Sequence, residues 1–198
     1  MIVKLLNWAQ NRLESLDPLL FIAPLFLRAY LAPIFWTTGT IKLKSFDNTV
    51  AWFGNSEWGL GLPFPEIQAS LAISAEVGGA ILLVLGLATR WACIPLIITM
   101  IVAAVTVHLK NGWQFVYDSM SAFPPANIGE ATERLSRAKS ILKEHGNYSW
   151  LTEPGNFVMT NNGIELVAAY FVMLIALFYL GGGKFFSLDY WIARKFRK

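Results

Sequence analysis

Four stretches of this chain are long and apolar enough to cross a lipid bilayer, and they restrict the fold before any other feature does. They lie at about residues 19–41, 70–88, 91–109 and 163–180. A bilayer demands roughly 17–25 helical residues per crossing. Hydrocarbon offers no partners to peptide groups, so an isolated spanning segment must be a helix. The spacing therefore predicts an all-α fold, an integral membrane four-helix bundle formed as one domain over residues 1–198. Composition agrees: 55% of residues are hydrophobic and 15% charged, against a usual charged share of about 25%.

The flanks of these segments are informative. Residues 1–17 place Ile2, Leu5, Leu6, Ala9, Leu13 and Leu16 on one helical face, with Lys4, Asn7, Asn11 and Arg12 mostly opposite. That pattern predicts an amphipathic helix lying at the membrane interface rather than a signal peptide, which needs an unbroken apolar core. Asp17-Pro18 starts the first span, Pro24 and Pro33 can kink it, and Pro95 falls in the first turns of the third. The connection at 89–90 reads as a tight turn between antiparallel helices. Gly181–Gly183 ends the last span.

Two longer connections, 42–69 and 110–162, fall on one side of the membrane. The second contains "NIGEATERLSRAKSILKEHG". Asn127 and Glu130 suit a capping box. Ile128, Ala131, Leu135, Ala138 and Leu142 keep helical spacing, and Gly146 is a natural stop. A short surface helix over 127–145, packed on the bundle mouth, is expected. Near the span ends, Lys4, Arg12, Arg90, Lys184 and the terminal "ARKFRK" outweigh Lys42, Lys44 and Lys110. The positive-inside bias then puts both termini of a multi-pass protein in the cytoplasm.

Charged side chains inside a bilayer are functional candidates by default, since each costs about 2.5–3.5 kcal/mol on insertion scales. Glu76 lies about 10 Å inside the second span, and Arg28 lies deep in the first. Lys42, His108 and Glu165 stand at span ends on the loop side. Each shares a helical face with small residues, the kind that let neighbouring backbones approach. Glu76 is thus expected to face the bundle with a partner among Arg28, Lys42 and His108. Glu76, His108 and Arg28 are the candidate catalytic groups. Together with Lys42 and Glu165 they form a candidate polar cluster for a ligand. The bland alternatives are an ion pair that only sets helix registry, interfacial anchors at Lys42 and His108, and a carboxylate at a helix N-terminus in Glu165.

Several chemistries are poorly supported. One cysteine, Cys93, allows no internal disulfide and no four-cysteine cluster. No CxxCH and no phosphate-binding glycine loop after a strand is present. The five methionines show no clustered spacing. No metal centre and no nucleic-acid partner is expected, and the basic C-terminus reads as a topology and lipid signal.

The chain resembles the DoxX family of membrane proteins. The resemblance rests on "LRAYLAPIFWTTGTIKL", "SAEVGGAILLVLGLATR", "VHLKNGW" and "NNGIELVAAYFVMLIALFYLGGGKFFSLDYW". Its marks fall on Arg28, Gly39 and Lys42, on Glu76, Gly78, Gly79 and Gly86, on His108 and Gly112, and on Glu165 with the "GGGKFFSLD" ending. The resemblance implies a four-helix inner-membrane bundle and a link to membrane redox complexes. The long third loop resembles a proteobacterial subgroup associated with peptide modification and copper handling.

Three functions follow as expectations. The first is an accessory protein of a redox or metal- and thiol-linked process, with a diffusible quinone as the only cofactor suggested. The second is a scaffold that docks a membrane or periplasmic partner, or a second copy of itself. The third is a small transporter or proton path, disfavoured because four helices without an inverted repeat or broken helix are poor transporter material.

Overall fold

The computed structural model describes residues 1–196; Arg197 and Lys198, which belong to the basic ending, lie outside the described residues. The described residues are all-helical apart from one isolated antiparallel bridge between Val116 and Thr160. The chain forms two compact units, Met1–Thr99 with Tyr170–Lys198, and Met100–Ala169.

The first unit begins with α1 (Ile2–Glu14) and a 3-10 turn at Asp17–Leu19. The expected amphipathic helix is therefore present, and Ile2, Leu5, Leu6 and Leu13 are all exposed. Helix α2 (Ile22–Lys44) follows. Its later start puts Pro24 in the first turn, where a missing N–H is harmless, while Pro33 sits inside the helix. The connection 42–69, expected as a loop, holds α3 (Phe46–Gly54), with Thr49 and Phe53 buried. The Thr49 hydroxyl donates to the Ser45 carbonyl at 3.0 Å and ties α3 to the end of α2.

Helix α4 (Pro65–Leu85) starts at a proline, where the fixed φ suits a first helical position, five residues before the expected boundary. It ends in a Schellman turn: Leu87 N–H donates to the Leu82 carbonyl and Gly86 N–H to Leu83, with Gly86 at φ +60°. The reversal thus occupies 86–88 and not 89–90, because Thr89 and Arg90 already belong to α5 (Thr89–Ala103).

Helices α2 and α4 form the main contact of this unit. Leu31, Ala32 and Phe35 of α2 and Ile73, Ala80 and Leu83 of α4 are buried. Gly39 permits the approach: a Cβ there would lie 2.8 Å from Val77 Cγ2 and 2.9 Å from Glu76 Cβ. Outward-facing Ile67, Leu71, Ile81 and Val84 are exposed and apolar, as a surface against lipid tails requires.

Helices α4 and α5, the latter extended to Asn111, are each long and apolar enough to cross a membrane. A third candidate crossing joins Ile2–Leu19 and Ile22–Lys44 across a 54° bend. Helix α8 (Glu165–Leu180) is apolar but has 16 residues, two fewer than the expected 163–180 span. Gly163 and Ile164 are drawn instead into backbone hydrogen bonds with Gln114 and Gly112.

In the second unit, the helix that began as α5 changes pitch. Ala104–His108 is a π turn and Leu109–Asn111 a 3-10 turn. Segments 112–117 and 159–165 then run antiparallel, joined by Tyr117 N–H to Met159, Asn161 N–H to Phe115 and Glu165 N–H to Trp113. Between them lie α6 (Ile128–His145) and the single turn α7 (Tyr148–Leu151). The loop helix is thus where the spacing put it, but the capping box does not form. Asn127 Nδ2 donates to the Tyr117 hydroxyl at 2.7 Å, and Glu130 pairs with Arg134 at 3.0 Å. Arg134 stands one turn onward on the same helix surface, where an i, i+4 pair forms readily. The last helix of the chain, α9 (Leu188–Phe196), returns to the first unit.

Candidate functional site

Glu76 has a partner, and it is Lys42. The Lys42 ammonium lies 2.7 Å from each carboxylate oxygen. The Glu76 side chain is 6% exposed and that of Lys42 26% exposed. Helix geometry explains the match. Gly39 lies against Glu76, and Lys42 follows it by about one turn, so its flexible stem reaches back to the carboxylate. Because α4 starts at Pro65, Glu76 is about 16 Å along its helix, deeper than the expected 10 Å. A carboxylate and an ammonium so placed can hold or exchange a proton, or present one polar contact to a ligand in otherwise apolar surroundings.

Arg28 does not join this pair. It is 3% exposed and donates only to backbone carbonyls. Nε reaches Leu83 at 2.7 Å, Nη1 reaches Gly182 at 2.5 Å, and Nη2 reaches Val84 at 3.1 Å and Phe186 at 2.9 Å. Two of these carbonyls belong to the last turn of α4, which has no helical donors left for them. A cation there also suits the helix dipole. The fork of N–H groups on a guanidinium serves four acceptors at once, which no other side chain can do.

Asp189 completes this end of the unit. Its carboxylate accepts from Ala88 N–H at 2.7 Å and Thr89 N–H at 2.9 Å, and its own N–H donates to the Gly86 carbonyl at 3.0 Å. Gly86 is obligatory here for a second reason besides its φ: a Cβ would lie 2.7 Å from the Arg28 guanidinium carbon. Ser187, 2% exposed, donates to the Gly183 carbonyl. Arg28, Gly86, the glycine run and Asp189 thus lock the α4–α5 turn to the segment after α8. Asp189 was not among the residues expected from sequence to take part in a site. The available signal was an acid two residues after Ser187, shortly past the glycine run and one helical turn before the basic ending.

His108 and Glu165 both stand in the second unit. His108 Nδ1 is 2.9 Å from the Asn162 carbonyl, which also accepts from Asn111 Nδ2 at 3.1 Å. Glu165 accepts from Phe115 N–H at 2.9 Å. Both therefore hold loop backbone in place, and Glu165 does so from the first turn of α8. Cys93 is fully buried. Among the described residues, no group of three or more His, Cys, Asp or Glu side chains converges as metal ligands. Of the expected five-residue cluster, the first unit brings Lys42 and Glu76 together and sets Arg28 apart on carbonyls.

Residues 23–109 match the family model described as DoxX. That stretch contains Arg28, Lys42, Glu76 and His108. Among curated proteins, "Putative oxidoreductase CatD" of Bacillus subtilis (strain 168) is 34% identical over 89 residues, which is 45% of this chain and 62% of that protein. The chain therefore spans less than two thirds of the length of the curated relative it matches. No solved structure matches the chain.

Proposed function

We propose that this chain is an accessory protein of a redox process in the bacterial inner membrane, with the Lys42–Glu76 pair as its working centre. On this reading α2, α4, α5 and α8 each cross the bilayer as a four-helix bundle, with both termini in the cytoplasm. The observation that carries the reading is a hydrogen-bonded ion pair between Glu76, well inside α4, and Lys42 in the last turn of α2, within the stretch that matches the DoxX family model. A relative whose name includes oxidoreductase points the same way.

A diffusible quinone fits the pair. Lys42 is a quarter exposed and can donate to a quinone carbonyl, while buried Glu76 fixes the ammonium in place. A bound quinone would supply the electron chemistry; Lys42 and Glu76 would hold its head group and a proton beside it. A copper or thiol link would run through a partner, because Cys93 is enclosed.

The test is purification of the full chain from native membranes in mild detergent, with quinones and proteins identified by mass spectrometry. Wild type retains quinone or a redox protein, and Lys42→Met loses the quinone while remaining folded. Recovery of neither quinone nor redox protein with wild type overturns the reading. A second reading, a docking protein without chemistry, draws on exposed Met120, Phe123 and Trp150 in the long loop. It expects partner capture to be indifferent to Lys42→Met.

A further inference from the structure

A cleft of about 570 Å³ opens in the first unit beside the lock that holds the α4–α5 turn. Arg90 and Lys184 line it, with Phe21 and Trp91 as apolar neighbours. Two carboxylates line it too, Asp17 and Asp189. Both oxygens of Asp189 are already engaged by the Ala88 and Thr89 N–H groups. Arg90 donates one N–H to the Tyr179 carbonyl, leaving other donors on its exposed guanidinium. The Asp189 charge is faced by the buried Arg28 guanidinium, so Arg90 and Lys184 are left against Asp17 alone, a surplus of one positive charge.

A second observation points to a ligand. Thr89 lines the cleft, is 0% exposed, and among the described residues its hydroxyl has no hydrogen-bond partner. Buried hydroxyls are normally satisfied. The neighbouring glycines allow close packing at the wall of the cleft: a Cβ on Gly182 would lie 2.8 Å from Thr89 Oγ1, and one on Gly183 would lie 2.8 Å from Pro24 Cγ. The cleft sits where α4 and α5 reverse and α8 ends, so in a bilayer-crossing chain it stands at head-group depth. Basic pockets at this depth hold lipid phosphates, and exposed tryptophans such as Trp91 mark the interface.

We infer that this cleft holds the phosphodiester head group of a membrane phospholipid, with Arg90 and Lys184 on the phosphate and the acyl chains along Phe21 and Trp91. The single negative charge of a phosphodiester matches the surplus. The inference rests on the bilayer-crossing part of the proposed function and is independent of the redox role and of Lys42–Glu76.

The experiment titrates the detergent-solubilised full chain with dioctanoyl phosphatidylglycerol and reads bound lipid by native mass spectrometry. At about fivefold per basic contact, Lys184→Gln weakens binding about fivefold and Arg90→Gln/Lys184→Gln about thirtyfold. Lys184 has no side-chain hydrogen bond among the described residues, so the single variant keeps the test usable if the double variant unfolds. Dioctanoylglycerol, with the same chains and no phosphate, binds wild type and variants alike. Unchanged phosphatidylglycerol affinity in both variants overturns the inference. So does an equal loss of dioctanoylglycerol binding, or displacement of the lipid by equimolar inorganic phosphate, which would make the site a free-anion site. None of these outcomes bears on quinone retention.

Discussion

The Lys42 ammonium sits 2.7 Å from both oxygens of Glu76, while Arg28 on the same helix α2 turns all its hydrogen bonds to backbone carbonyls, two at the far end of α4 and two in the segment after α8. Two cations on one helix thus have separate tasks, one neutralising a buried carboxylate and the other closing a helix end.

The pair should show coupling in a double-mutant cycle. Removing either partner leaves the other charge in a poorly solvated place, a loss of about 3–5 kcal/mol when fully buried. Partial exposure of Lys42 lowers that to about 2 kcal/mol for Glu76→Gln, which leaves a quarter-exposed ammonium, while Lys42→Met costs about 3 kcal/mol because it strands a carboxylate only 6% exposed. The double variant should be more stable than the sum of the single losses implies. Thermal unfolding in one detergent checks it, and strictly additive losses would contradict the pairing.

Arg28 and Glu76 should behave independently. Their partners are different groups, and about seven residues of α4 lie between Glu76 and Leu83, or roughly 10 Å. Distant sites without shared partners add within about 0.5 kcal/mol. Arg28→Gln alone should destabilise by about 3 kcal/mol, because it strands carbonyls that had a charged donor. Arg28→Lys should recover only part of this, since an ammonium cannot reproduce the fork. Unfolding of the Arg28→Gln/Glu76→Gln pair measures the sum.

Gly86→Ala should be among the most damaging single-methyl changes in the first unit. The residue stands at φ +60°, and the added carbon would meet Arg28 Cζ at 2.7 Å and Ser187 Cβ at 2.6 Å. Gly78→Ala, on the same helix α4, meets nothing within 4 Å and should be close to neutral or slightly stabilising. A comparison of their melting temperatures decides; equal shifts would show that the lock does not depend on Gly86.

The proposed topology, with both termini in the cytoplasm and 42–69 and 110–162 outside, is tested by labelling from either side. Ser45→Cys and Ser140→Cys should react with a membrane-impermeant maleimide from the outside of intact cells. A cysteine placed at Tyr190 should react only after permeabilisation. Labelling of Ser140→Cys from the cytoplasmic side alone would reverse the orientation.

Local pattern alone placed the helices that depend on local forces. The apolar runs that became α4 and α5, the amphipathic α1, and α6 with its Leu135 and Leu142 spacing were all legible, because helical periodicity and bilayer length are properties of adjacent residues. Boundaries slipped where other segments intervened. Asp189, one hundred residues away from Thr89, helps set the 86–88 turn, and the 112–117 ribbon shortens α8.

The sequence by itself also determined that Glu76, well inside an apolar run, needed either an internal partner or a bound proton, since an unpaired ion in hydrocarbon is too costly to keep. Only the tertiary structure decided which cation that would be. The choice between Lys42 and Arg28 depends on the level at which α2 and α4 cross, and that level is set by the missing side chain at Gly39 pressing against Glu76 and Val77. A contact between residues 34 positions apart has no signature in either helix's own pattern. The same holds for Arg28: its four carbonyl acceptors are backbone atoms, identical in every residue type, and become recognisable as a site only when folding brings Leu83, Val84, Gly182 and Phe186 around one guanidinium.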